Sequence, residues 1–147
     1  MTARTSVLLS GAVALLSACV PTPVPDKAGG VVELFSGGTF HGYRRAVIYP
    51  NDVVELTTSG PFDEGKKTRT RQAQPGAFQA LRQHIDANPI PEKALASKEV
   101  CEDYGGEIVE MTLPDRSVKY LSSCPNKPLT TLYVEAMDVL TRHLPDS

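Results

Sequence analysis

The sequence predicts an α+β fold. The expected architecture is a two-layer antiparallel sheet with two helices packed on one face, in the order (β)ββ(β)α-ββα. Three observations predict it. Residues 43–58 and 107–123 each read as a hairpin whose turn carries Pro with Asn or Asp beside it. Each half then closes with an apolar pattern of helical period. The segment 31–147 is long enough for one core of that kind, since roughly 110 residues suffice.

Each element has its own justification. Val31–Ser36 is a short apolar run closed by Gly37-Gly38, and reads as a first strand. From 43 to 49 the residues alternate: Tyr43, Arg45, Val47 and Tyr49 share one face, and Arg44, Ala46 and Ile48 the other. Pro50-Asn51-Asp52 turns the chain, because Pro fixes φ and Asn or Asp tolerates the left-handed region. Val53–Thr58 returns as a strand. Lys67–Gln74 reads as another, with Lys67, Arg69 and Arg71 alternating with Thr68, Thr70 and Gln72, as suits an exposed edge.

Pro75 fits the first turn of a helix, where a missing N–H costs little. Phe78, Leu81, Arg82 and Ile85 follow helical spacing, and Asn88-Pro89 ends it. Residues 89–104 are a long connection with one helical turn near Glu92–Ala96. Glu107–Leu113 and Ser117–Ser123 pair around Pro114-Asp115-Arg116; Val109, Met111 and Leu113 share a face, as do Val118 and Tyr120. Pro128 opens the last helix, with Asn126 or Lys127 near its cap. Its broad apolar stripe runs through Leu129, Leu132, Tyr133, Ala136, Met137, Leu140 and Leu144, and Pro145 closes it.

The N-terminus has a different character. Arg4 precedes an apolar run, Val7–Leu16, too short for a comfortable transmembrane span. The run ends in Leu16-Ser17-Ala18-Cys19, with Leu three before the Cys and small residues between. This resembles the lipobox signal peptide of bacterial lipoproteins. The resemblance implies that residues 1–18 are removed, that Cys19 carries a diacylglycerol and that its new amine is acylated, by palmitate or a similar chain. Two or three chains hold a protein firmly on a membrane, at roughly 0.8 kcal/mol per buried CH₂. Val20 rather than Asp after the Cys favours the outer membrane, facing the periplasm, over the inner membrane. Residues 19–30 then form the lipidated Cys and a Pro-rich tether. Pro21, Pro23 and Pro25 force extended backbone, and Gly29-Gly30 adds a swivel. Such a tether reaches roughly 30 Å; the alternative is a short ordered arm lying on the domain.

Three cysteines are present. With Cys19 assigned to lipid, an oxidising envelope favours a Cys101–Cys124 disulfide. The second hairpin, centred between Pro114 and Asp115, leaves the pair about four residues out of register, and a bulge at Gly105-Gly106 absorbs the slip. The closed loop would contribute about 3 kcal/mol in the chain-entropy model.

No catalytic constellation stands out. The motifs G-x-S-x-G, H-E-x-x-H, S-x-x-K and the P-loop are absent from the sequence, so the expectation is a non-enzyme without cofactor or metal. His84 and His143 read as helix residues, the latter suited to a helix C-terminus. His41 sits in a Gly-flanked loop, and with Tyr43 and Tyr49 it marks a candidate pocket. Glu99, Glu102, Asp103, Glu107 and Glu110 read as a solvated acidic rim. Lys66, Lys67, Arg69 and Arg71 read first as protection of an edge strand, and second as a patch for an anionic partner. A formal charge of -2 argues against a nucleic-acid partner.

Tyr43–Ile48, the turn Pro50–Asp52, Phe78–Ile85 and Val118–Leu140, behind the lipobox and tether, are together similar to small bacterial lipoproteins carrying a domain of unknown function, with a hairpin and helix in each half. That resemblance implies an address and a fold but no activity. The expected function is a membrane-anchored envelope lipoprotein that binds an envelope protein or polymer. The alternatives are a small enzyme or ligand carrier with a pocket near His41, or a hydrolase-inhibitor-like lipoprotein.

Overall fold

A computed structural model describes residues 21–38, 40–91, 108–115, 117–121 and 127–145. Six strands appear: β1 (Val32–Gly38), β2 (Gly42–Ile48), β3 (Val53–Ser59), β4 (Lys67–Gln72), β5 (Ile108–Thr112) and β6 (Ser117–Leu121). Helices among the described residues are α1 (Ala77–Ala87) and α2 (Lys127–Arg142), with a 3₁₀ turn at Pro61–Asp63. The α+β architecture and the element order are as the sequence predicts.

The strands form one antiparallel sheet in the order β4-β3-β2-β1-β5-β6. β1 joins the two halves: it pairs with β2 from Val32↔Ile48 to Gly38↔Gly42, and with β5 from Glu33↔Thr112 to Gly37↔Ile108. Short turns force the neighbouring pairs, whereas β1–β5 is a long-range pairing. In the second hairpin Thr112 faces Ser117 and Ile108 faces Leu121, the register expected from a turn centred between Pro114 and Asp115.

Alternation decides which side chains meet the helices. Val32, Leu34, Ala46, Ile48, Val54, Met111 and Leu113 point to one face and are buried there. They meet Phe78, Leu81 and Ile85 of α1 and Leu129, Leu132, Ala136 and Leu140 of α2. Each fully buried aliphatic chain, such as Leu34, Ile48, Leu81 or Leu140, contributes about 1.5–3 kcal/mol. The opposite face has a smaller cluster, Val47, Tyr49 and Val53, with Val31 packed against it.

Two local details differ from the sequence expectation. Pro75 lies before α1, not in its first turn. Gly76 (φ +89°) is the N-cap, and it has no side chain to satisfy the free N–H groups. Asp52 supplies them from the β2–β3 turn: its Oδ2 accepts from Gly76 N at 2.8 Å and its Oδ1 from Phe78 N at 2.8 Å. The second difference is the arm. The arm is tied to the domain at particular residues. Asn51 Nδ2 donates to Val24 O at 2.8 Å, and Asp26 N donates to Asn51 Oδ1 at 3.3 Å.

Cys19, Cys101 and Cys124 lie outside the described residues, as do the signal segment, the Glu92–Ala96 turn, the Gly105-Gly106 bulge, Glu99, Glu102, Asp103 and Glu107. Among the described residues no helix is long and apolar enough to cross a membrane.

Candidate functional site

The strand directions give the sheet two unlike ends. One end carries the start of β1, the turn 49–52 and residues 113–115 after β5, and the arm is fixed there. The other carries the β1–β2 loop (Phe40, His41) and the β3–β4 loop (Gly60–Lys66). At that second end Phe40 and Phe62 are 60% and 66% exposed. Their rings meet edge to face, with centroids 5.6 Å apart. Phe62 has φ +53° and Asp63 φ +63°. A bulky residue adopts the left-handed region only at a cost of about 1–2 kcal/mol. The loop therefore spends stability to hold an aromatic ring in solvent.

Below this pair lies an apolar cleft of about 260 Å³, lined by Phe35, Gly37, Tyr43, Phe62 and neighbours. Two glycines shape it. A Cβ at Gly37 would collide with Tyr43, and one at Gly42 (φ +73°) would collide with the Ser59 carbonyl. Because Gly37 is bare, Tyr43 stacks on Phe35 with centroids 5.4 Å apart.

The same strand face carries an ordered polar array. Arg45 makes a two-point bond to Glu33, Nε to Oε1 at 2.6 Å and Nη2 to Oε2 at 2.9 Å. That bond raises the guanidinium pKa further. Tyr49 donates to Glu55 Oε2 at 2.7 Å. Burial, then the bond to Glu55, pushes the Tyr49 pKa up to about 12. Between these groups and Lys66 lies a shallow hollow of about 420 Å³, which Glu110 also lines.

On the helix-facing side, a polar cleft of about 510 Å³ opens between the sheet and α2. It is lined by Ser36, His41, Tyr43, Arg44, Thr58 and Tyr133, among others. The structure thus brings His41 and Tyr43 together, as the sequence suggests. Tyr49 is not with them. Six residues of strand, at about 3.3 Å each, separate it from Tyr43, so it lies near the opposite end of the sheet. There it is 4% exposed and bonded to Glu55.

The basic run divides between faces. Arg69 faces Leu56 and Arg71 faces Val54, both core-side residues, while Lys67 faces Thr58. Lys66 instead joins Glu33 and Arg45 on the other side. β4 is an edge strand, where such charges oppose pairing with another chain. His84 lies on α1 with Nε2 3.6 Å from Glu135 of α2. That nitrogen is buried and, among the described residues, has no hydrogen-bond partner. His143 follows α2, with Nδ1 2.8 Å from Val139 O.

Sequence reasoning missed the Phe40–Phe62 pair and Arg44. Phe62 had a signal: a large aromatic inside Gly60-Pro61-Phe62-Asp63-Glu64-Gly65, where turn composition leaves it no core to enter. Among the described residues no group of His, Cys, Asp and Glu is placed to hold a metal ion. No protein-family model matches the chain, and no curated protein matches it.

Proposed function

We propose that this is a lipid-anchored lipoprotein of the bacterial envelope that acts as a non-enzymatic binding module. Its partner is an envelope protein or polymer, engaged at the Phe40–Phe62 end. One observation supports this reading above others: the arm is fixed at one end of the sheet, and the exposed aromatic pair stands at the other. A lipid on Cys19 would put the Asn51 end towards the membrane and the aromatic end away from it. Large aromatics are the residues that supply most binding energy at protein interfaces. The lipobox supports the anchor, and Val20 supports the outer membrane.

The test has two parts. Mass spectrometry of the mature N-terminus should find acylated Cys19, and Cys19→Ser should release the protein from membranes. A photo-crosslinking residue at position 62 should capture one recurring envelope component in cells, while the same residue at Gln79 should not. Loss of the first result removes the anchor; loss of the second removes the binding end.

A second reading, a ligand carrier, draws support from the polar cleft beside His41 and Arg44.

A further inference from the structure

The polar cleft has a chemistry distinct from that of the aromatic end. None of its lining residues is acidic. Arg44 is exposed and, among the described residues, makes no ion pair. Arg45, Arg82 and Arg142 are each matched to carboxylates, whereas Arg44, like Arg69 and Arg71 of the edge strand, is in no ion pair among the described residues; of these three, Arg44 lines the cleft. An arginine left unpaired in a concave, hydroxyl-rich setting is free to take an anion.

The register shows what surrounds it. Arg44 faces Ser36 on β1 and Thr58 on β3, and Thr58 faces Lys67 on β4. Arg44 and Lys67 therefore share one sheet face, two inter-strand spacings apart, or about 10 Å. His41 stands at the rim. Guanidinium offers a planar fork of N–H donors that matches phosphate with two parallel bonds. Arg44 and His41 line the hollow, and Lys67 lies beyond its lining on the same sheet face, so cationic charge stands on the side an anion would approach. Ser36, Thr58 and Tyr133 bring hydroxyl-bearing side chains to the lining, Tyr133 from a largely buried position on α2. Burial raises the Tyr133 pKa, so near neutrality it remains a hydroxyl and brings no negative charge.

We propose that this cleft binds a phosphorylated sugar, with the phosphate on Arg44, Lys67 adding charge, and the sugar against Tyr133. The volume of about 510 Å³ fits a ligand of that size. The inference does not rest on the lipid anchor or on the aromatic end.

The test is calorimetric titration of the full chain in detergent. The probes are glucose 6-phosphate, glucose, inorganic phosphate, and vesicles bearing a phosphorylated glycolipid. Saturable binding of glucose 6-phosphate, tighter than glucose or phosphate alone, is expected. Arg44→Gln should weaken it at least about tenfold, and Tyr133→Phe by a few-fold, with circular dichroism unchanged; Arg142→Gln should leave it intact. Binding of the vesicles as well would place the ligand on a membrane; binding of the soluble sugar alone would make it a free solute. The proposal is overturned if neither phosphorylated probe saturates by about 10 mM, if phosphate alone binds as tightly, or if Arg44→Gln binds like the parent.

Discussion

Asp52 caps the helix that contains Phe78, although the two residues lie on different elements and far apart in the chain. Both carboxylate oxygens are used, one on Gly76 N and one on Phe78 N, each at 2.8 Å. Asp52 itself has φ +59°. Three substitutions separate the cap from the conformation. Asp52→Gly keeps the conformation and loses the cap, and should cost about 1 kcal/mol. Asp52→Ala loses both and should cost about 2 kcal/mol or more. Asp52→Asn should stay closest to the parent. Urea denaturation followed by circular dichroism ranks them, and an Ala variant no worse than Gly would refute the separation.

Tyr49 gives the domain an alkaline limit. Its ordinary pKa is 10.0, and burial with the Glu55 bond pushes it up to about 12 in the folded chain. The folded state therefore keeps a proton that the unfolded state has released across that interval. Stability is fully present below about pH 10 and is lost as pH rises towards about 12. Tyr49→Phe should flatten the slope in that window, at a cost near neutrality of about 1 kcal/mol for the lost bond. Thermal unfolding at stepped pH measures both effects. An unchanged alkaline slope in the variant would contradict the assignment.

Gly42 is a place where no side chain fits. Its φ is +73°, and a Cβ would enter the Ser59 carbonyl. Gly42→Ala should destabilise by about 2 kcal/mol or more and disorder the β1–β2 loop. Nuclear magnetic resonance would show this as loss of the Phe40 and Phe62 ring contacts. A variant with parental stability would mean that the loop accommodates the methyl group.

Phe62 should separate stability from binding. Asn accepts the left-handed region more readily, so Phe62→Asn relieves backbone strain while losing an edge contact worth about 0.5–1.5 kcal/mol. The two changes nearly cancel, and the melting temperature should move little. Partner capture at the aromatic end should fall sharply. A large drop in melting temperature would show that Phe62 is structural.

The sequence was most legible where structure is local. Alternation from Tyr43 to Tyr49 put Ala46 and Ile48 on a common face, which the structure shows to be the core side, and the centre of the second turn set the Thr112–Ser117 register. The exposed edge at Lys67–Gln72 was likewise readable from its charges. What could not be read depends on distant residues. Nothing near Val32–Gly38 says that it pairs with β5, and Gly76-Ala77 carries no sign that Asp52 will cap it. The pocket expectation failed for Tyr49 because sharing a strand face is not sharing an end. Arg44 escaped notice because its meaning lies in having no carboxylate beside it, which only the assembled sheet displays.

The central place of β1 has a mechanical consequence. The arm enters the sheet through this strand, which is paired on both sides, from Val32 to Gly38 with β2 and from Glu33 to Gly37 with β5. A pull between an anchored arm and a partner held at Phe62 runs along the strands. It loads their hydrogen bonds in shear, all together, where a pull on an edge strand would peel them one after another. Such a pull would meet the sheet in its more resistant geometry, and the two Asn51 hydrogen bonds to the arm would be loaded before it.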